Sequence, residues 1–195
     1  MDKEIDEICT NSMQRILEDR PNENDTRSKL TVFVAEDVKE KLFYYSEEYK
    51  YSLSTFLLGP TVKWWITHKS CANPQFDFSQ KTTYDSEEWT AYTIVFSHKI
   101  GQLYYQPKQF KTYENDLKQY IKTLFEKYLH GREEYDHTLA ETFIQNIQDE
   151  LYEYCKEKLD TYYFSVEILI VSKGCGYCST SRRINCIDED GIIYE

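Results

Sequence analysis

The sequence predicts an α+β fold in which two helices pack on an antiparallel β-sheet, preceded by an N-terminal helical and mixed extension. Three observations between residues 112 and 172 predict it. Apolar residues recur every three or four positions over residues 113–129 and again over 139–155, the spacing of amphipathic helices. The stretch 162–171 is dense in aromatic and branched residues, which is typical of a buried strand. Two such helices and a strand must cover one another's apolar faces.

The ends of both helices are marked by residue type. His130-Gly131 predicts the end of the first helix, because glycine enters the left-handed C-terminal position without penalty. Asp136 can accept a hydrogen bond from the first amide groups of the second helix. A second strand is expected over Ser179–Ile187, after the segment SKGCGYCS, which contains the glycines of a turn. These signals place a helix pair, a strand and a hairpin in one domain, residues 106–195.

The residues before this domain divide into two parts. Residues 1–30 are expected to be an N-terminal helix with a polar linker, and residues 31–105 a mixed α/β extension. The helix is predicted from an apolar stripe that consists of Ile5, Ile8, Cys9, Met13, Ile16 and Leu17. It is expected either to dock on a partner surface or to form a solvated terminus.

Within residues 31–105 the expected elements are short. Thr31–Val34 is predicted as a strand, Ala35–Ser52 as a helix, Ser70–Glu88 as a loop and Trp89–Ser97 as a strand. No internal repeat is visible in the sequence.

Trp64 and Trp65 are adjacent, and neighbouring side chains cannot both face one core in a helix or a strand. One of the two is therefore expected to meet a second surface or to lie on its own domain.

Composition favours a protein that contacts other proteins. The net charge of −11 disfavours nucleic acid and anionic membranes as partners. The eighteen tyrosines suit half-buried sheets and protein interfaces, because the ring is apolar and the hydroxyl is polar. The acidic start has neither the charge nor the apolar core of a signal peptide, so an intracellular chain with reduced cysteines is expected.

Cys175 and Cys178 form a C-x-x-C pair directly after the apolar strand. This arrangement occurs in thiol redox proteins, but the seventeen residues after Cys178 are too few for a thioredoxin-like fold. A zinc site with Cys186 has no second ligand pair at suitable spacing. Two reduced cysteines beside a hairpin turn are the third interpretation.

No pattern indicates an enzyme. The four histidines are scattered, and none lies beside a nucleophile in a recognisable motif. The chain contains neither a phosphate-binding loop nor a dinucleotide-binding glycine motif. No catalytic residue, cofactor or bound metal is therefore expected.

Several motifs in order resemble the Tctex-type dynein light chain family. They are the extended entry YYQPKQF, the turn REEYDH between the helices, the strand entry KLDTYYFSVEILI and the segment STSRRINCIDEDG. The resemblance covers about the last ninety residues. Two features differ: Ile187 stands where the family has a tryptophan before the aspartate, and the sequence up to Glu195 contains no counterpart of the family's last strand. Another segment, with Trp89–Ser97 as the first candidate, or a partner is expected to take its place.

The resemblance implies two helices on an antiparallel sheet, dimers formed by exchange of the strand after the first hairpin, and binding of an extended segment of a dynein intermediate chain along a sheet edge. It implies a non-catalytic dynein light chain or adaptor that forms a homo- or heterodimer with another light chain and associates with the cytoplasm, cytoskeleton, and cilium or axoneme. The alternatives are a structural component of a larger ciliary or cytoskeletal assembly, and a small thiol redox protein that uses Cys175 and Cys178. The expected partner and dimer surface consists of Phe164, Val166, Ile168, Tyr177, Thr180, Arg182, Ile184, Cys186, Trp64 and Trp65.

Overall fold

The computed structural model describes residues 2–46, 48–59, 62–71, 77–87, 89–99, 111–132, 134–159, 164–172 and 177–184. Within these ranges the chain forms four helices and six strands. In chain order they are α1 Asp2–Leu17, α2 Asn24–Tyr45, β1 Tyr49–Leu58, β2 Trp64–Cys71, β3 Asp77–Asp85, β4 Thr90–Lys99, α3 Lys111–Leu129, α4 His137–Lys158, β5 Phe164–Val171 and β6 Tyr177–Ile184. Helices and antiparallel strands confirm the predicted α+β class.

Contacts divide the chain into two compact units. Unit 1 comprises residues 1–62, 73–102 and 174–186, and unit 2 comprises residues 63–72, 103–173 and 187–195. Unit 1 therefore holds α1, α2, β1, β3, β4 and β6. Unit 2 holds α3, α4, β2 and β5.

Unit 1 contains a four-stranded antiparallel sheet in the order β3-β4-β1-β6. Strand β1 pairs with β4 from Tyr49↔Lys99 to Leu58↔Thr90, and on its other side with β6. Alternate residues of β1 face the helices, since Leu53 and Leu57 are fully buried. Strand β6 thus enters the sheet from a distant part of the chain.

The core of unit 1 lies between this sheet and the helices α1 and α2. Helix α2 contributes a buried stripe at helical spacing, and α1 covers it with Ile5, Cys9, Met13 and Leu17. Trp89 is fully buried, and its indole N–H donates to the Arg20 carbonyl over 2.8 Å. The N-terminal helix is thus part of a core.

Unit 2 contains a two-stranded antiparallel sheet, β2-β5, covered by α3 and α4. The register runs from Trp64↔Val171 to Cys71↔Phe164. The predicted helix pair and the predicted strand after it are confirmed.

The predicted helix ends in unit 2 are also confirmed. Gly131 has a φ of 73°, in the left-handed region. The Asp136 carboxylate accepts a hydrogen bond from the Leu139 amide over 2.9 Å and caps α4.

The predictions for residues 21–52 were wrong in their bounds, although the helix expected over Ala35–Ser52 is confirmed as far as Tyr45. The expected linker, the strand Thr31–Val34 and the start of the helix Ala35–Ser52 are one helix, α2, because Leu30, Val34 and Val38 form a single buried stripe at helical spacing. The hydroxyl of the branched residue Thr31 donates to the Arg27 carbonyl one turn earlier over 2.8 Å. The helix ends at Tyr45, and the alternating pattern of β1 then begins.

The loop expected over Ser70–Glu88 was also wrong, because β3 occupies Asp77–Asp85 within it. The polar residues of β3 suit an edge strand, and its pairing with β4 extends from Asp77 to Asp85. Two polar side chains of β3 find their hydrogen-bond partner on α1, where the Asp6 carboxylate accepts from Thr82 and Gln80. The strand expected over Trp89–Ser97 is confirmed as β4.

Among the described residues, no helix is both long and apolar enough to span a bilayer.

Candidate partner-binding site

Strand β6 carries four of the residues expected at the partner surface, Tyr177, Thr180, Arg182 and Ile184. Its backbone pairs antiparallel with β1 from Tyr51↔Ile184 to Leu58↔Tyr177. Thr180 and Arg182 lie opposite Thr55 and Leu53 in this register. The strand expected to leave its own hairpin therefore has a pairing partner within the same chain, in unit 1. Cys186 lies outside the described residues.

The residues expected in the neighbouring strand lie in unit 2, on β5. Val166 and Ile168 are buried beneath the helices, and Phe164 is half-buried beside them. The structure therefore does not bring β5 and β6 together in one sheet. Strand β4, the candidate to take the place of the missing last strand, pairs with β1 and β3.

Trp64 and Trp65 begin β2, and successive side chains in a strand point to opposite faces. Trp65 packs against the core of unit 2, and its ring meets the His137 imidazole edge to face at 5.0 Å. Trp64 is half-buried. Only Trp65 contributes to that core, as the adjacency of the two residues predicted.

Helix α4 holds β2 through polar contacts that the sequence interpretation did not identify. Gln148 is buried, and a hydrogen bond of 2.6 Å joins its side-chain amide to the Thr67 hydroxyl. The sequence contained one signal of this contact, because Gln148 is a polar residue one turn after Ile144 within an apolar stripe.

A charged contact lies beside Gln148. The Lys69 ammonium donates to the Asp149 carboxylate over 2.8 Å and lies 4.3 Å from the centre of the Tyr152 ring. This hydrogen bond lowers the pKa of Asp149 and raises the pKa of Lys69. Both side chains are well exposed, so the ion pair contributes less than about 1 kcal/mol.

The two outer strands of unit 1, β3 and β6, differ in how well their free edges suit pairing with another chain. Strand β3 is polar and is tied to α1 through Asp6. Strand β6 pairs with β1 on one side, and among the described residues no strand pairs with its other side. An edge of this kind presents backbone N–H and C=O groups that can pair with another extended chain.

The two cysteines whose side chains are described are structural. Cys9 and Cys155 are buried, and burial raises the pKa of each thiol to about 12. A thiol with so high a pKa is a poor nucleophile, because the thiolate is the reactive form. Cys175 lies outside the described residues, so its pairing with Cys178 in a redox or zinc site stays a prediction.

The described residues do not form a candidate metal centre. Among them, no group of three histidine, cysteine, aspartate or glutamate side chains could hold a metal ion. An open acidic groove on α3 and α4 contains Glu150, which accepts hydrogen bonds from Lys127 and Tyr128. These contacts lower the pKa of Glu150, Lys127 being the main cause. A carboxylate with its pKa lowered in this way is unsuited to act as a general acid.

Replacing Gln148 by methionine tests the contact that holds β2. The variant keeps the side-chain length but leaves the Thr67 hydroxyl without its partner, so we expect a loss of about 1–3 kcal/mol in the free energy of unfolding. Urea denaturation followed by circular dichroism measures it. Gln145→Met, at an exposed position of the same helix, is the matched control and should change stability by less than about 0.5 kcal/mol. Equal losses in the two variants would contradict the role given to Gln148.

Thiol accessibility tests the burial of Cys9 and Cys155. In a variant with Cys71, Cys175, Cys178 and Cys186 replaced by serine, we expect no reaction with Ellman's reagent at pH 8 in the native state and reaction of both remaining thiols in denaturant. A pKa near 12 leaves only about one part in ten thousand as thiolate at that pH. Rapid labelling of the folded protein would show that these thiols are not buried.

Comparison with known proteins identifies the C-terminal region. No curated protein matches the chain at a significant level. Residues 111–195, which contain α3, α4, β5 and β6, match the Tctex-1 family. Members of this family are non-catalytic dynein light chains, which suggests a dynein light chain associated with dynein and the cytoskeleton and fits a role without catalysis. The C-terminal region of this chain, residues 111–195, is therefore similar to the Tctex-1 family.

Proposed function

We propose that this protein is a non-catalytic dynein light chain that binds an extended segment of a dynein intermediate chain. The family match of residues 111–195 is the observation that carries the proposal. The proposed cellular setting is a cytoplasmic or axonemal dynein complex on the cytoskeleton.

We place the bound segment beside β6. This strand is held on one side by β1, and among the described strands none pairs with the other side. An extended peptide can add there as a fifth strand, with backbone hydrogen bonds giving affinity and alternate side chains giving selectivity. Tyr177, Thr180, Arg182 and Ile184 lie on this strand, which supports their assignment to the partner surface.

Dimer formation has to be considered separately from partner binding. The resemblance implies a homo- or heterodimer in which each chain receives the strand after its partner's first hairpin. In this chain β6 already pairs with β1, and β2 already pairs with β5. Binding at the outer edge of β6 therefore does not require a second light chain.

A structural role in a larger ciliary or cytoskeletal assembly is the second candidate. Helix α2 supports it, because Phe33, Phe43 and Tyr44 are 55%, 46% and 78% exposed. Exposed aromatic rings often mark protein interfaces. In that case Phe43→Ser with Tyr44→Ser would weaken assembly without affecting capture of an intermediate-chain peptide.

Proline substitution in β6 tests the binding edge. Adjacent residues of a strand direct their N–H groups to opposite sides, so Thr180→Pro and Ser181→Pro remove one donor facing β1 and one facing the open edge. The variant whose proline replaces the outward-facing residue keeps its hydrogen bonds to β1, so it should remain folded by circular dichroism. It should bind a labelled intermediate-chain peptide at least tenfold more weakly, as measured by fluorescence anisotropy, because a donor at the open edge is lost.

Alanine at the same two positions is the matched control, because it retains the N–H group. Both alanine variants should bind within about twofold of the unmodified protein. Binding that survives in a folded proline variant at the outer position would contradict the assigned edge. No binding by the unmodified protein would contradict the proposed function.

A further inference from the structure

The two units repeat one order of elements at a constant spacing. Helix α4 begins and ends 113 residues after α2, since Asn24–Tyr45 corresponds to His137–Lys158. The same shift carries Tyr51–Leu58 of β1 onto β5 and the whole of β2 onto β6. Chance agreement of a helix and two strands in both position and length is improbable, so the shift indicates two copies of one module.

The buried positions follow the same shift. All six residues that α4 buries correspond to buried residues of α2, and the two buried residues of β5 correspond to buried residues of β1. Shared burial is stronger evidence of a repeat than shared secondary structure. Burial at equivalent positions shows that the two helices have the same rotation about their axes and that the two strands turn the same face to the core. The corresponding pairs are Arg27 and Ala140, Thr31 and Ile144, Val34 and Ile147, Ala35 and Gln148, Val38 and Leu151, Leu42 and Cys155, Leu53 and Val166, and Thr55 and Ile168.

The first helices of the two copies, α1 and α3, correspond at a shift that differs from 113 residues. Moving α1 by 108 residues brings its buried positions onto the inner face of α3, so the second copy has five more residues between this face and the next helix. Part of this difference lies in the last turn of α3, which extends to Leu129. The pairs are Ile5 and Tyr113, Cys9 and Leu117, Ser12 and Tyr120, Met13 and Ile121, Ile16 and Leu124, and Leu17 and Phe125.

The strand pairings show a reciprocal exchange. In unit 1, β1 of the first copy pairs with β6 of the second, and in unit 2, β5 of the second copy pairs with β2 of the first. The two registers are equivalent, since Leu58↔Tyr177 becomes Val171↔Trp64 under the 113-residue shift. Each copy thus donates its second strand and receives the other's.

The donated strands and the helices that cover them carry equivalent residue types at one pair of positions. In unit 2 the acidic residue Asp149 on α4 binds the basic residue Lys69 on β2. The corresponding positions in unit 1 are Glu36 on α2 and Arg182 on β6, again an acid on the second helix and a base on the donated strand. Helix α2 packs against β6 as α4 packs against β2.

We propose that residues 1–99 are a second Tctex-type module, and that the chain is a self-contained pair of modules that exchange their second strands in cis. The exchange that would join two chains is here completed within one. A single chain therefore needs no second light chain to finish its sheets, and the linkage removes the concentration dependence of pairing. This inference does not depend on intermediate-chain binding.

Paired cysteines at equivalent positions test the exchange in both units. Ser52 lies opposite Arg183, and Ser165 lies opposite Ser70, and the two pairs correspond under the 113-residue shift. Opposed residues in antiparallel strands lie about 4.5–5.5 Å apart between Cα atoms, within the range that a disulfide spans. We expect S52C/R183C and S70C/S165C each to form a disulfide within one chain on mild oxidation, with the mobility of a single chain on non-reducing gels.

The matched control shifts one partner by a single residue. In S52C/R182C the two side chains lie on opposite faces of the sheet, so no cross-strand disulfide is expected. Each variant is made in the chain with Cys71, Cys175, Cys178 and Cys186 replaced by serine, and again in the unmodified chain with the bridge located by peptide mass mapping. A fold weakened by the serine substitutions therefore does not prevent the test.

The disulfide pattern distinguishes strand exchange within one chain from exchange between two chains, and it also tests the register. Single-chain disulfides in both pairs support exchange in cis. Disulfide-linked dimers would show that the strands are exchanged between two chains, and equal reaction of the control and the test pairs would show that the register is wrong. Because the assay contains no intermediate-chain peptide, its result is independent of the proposed function.

Discussion

Backbone pairing along the donated strands is the interaction on which the rest of this structure depends. Among the described residues, β2 pairs only with β5, and β6 adds to the sheet only through β1. Without these two ladders, unit 2 would have a single strand beneath its helix pair, and the apolar face of α4 would lose the surface that it covers. Each ladder joins residues at least 93 positions apart, so the sheets of both units depend on long-range pairing that closes late in folding.

This arrangement changes how a light chain can serve a dynein complex. A pair made of separate chains forms only at sufficient concentration and can exchange members. In the proposed arrangement the second module is always present, and each unit is free to diverge. Gln148 and Ala35 illustrate this divergence: the amide that binds Thr67 on β2 has no counterpart at the equivalent position of α2. The two units can therefore differ in stability and in the partners that they select.

The sequence predicted α3, α4 and β5 well, but it predicted the pairing of β6 and the first half of the chain poorly, for physical reasons. Helices α3 and α4 have wide apolar stripes, a glycine at one end and an aspartate cap, so local signals agree with the tertiary structure. Helix α2 begins in a polar segment, and its branched residues Thr31, Val32 and Val34 resemble a strand when read locally. Packing against α1 overrides that preference, and a single sequence does not reveal it.

The repeat and the site were hidden for a related reason. Residues 22–71 and 135–184 are identical at only four of fifty aligned positions, because burial constrains the pattern and not the residue type. The residues placed on β6 came from the resemblance, but their pairing with β1 depends on a contact between distant segments. Sequence patterns likewise did not predict the contact between Lys69 and Asp149, because charged residues on helix faces are usually only solvated.

The central claim is that one chain completes both strand exchanges, and its mass in solution tests this most directly. Multi-angle light scattering across a hundredfold range of concentration should give the 23.4 kDa of a single chain throughout, with the circular dichroism of a folded α+β protein. A stable mass of twice that value, or a monomer that loses its strand signal on dilution, would contradict the account and place the exchange between chains.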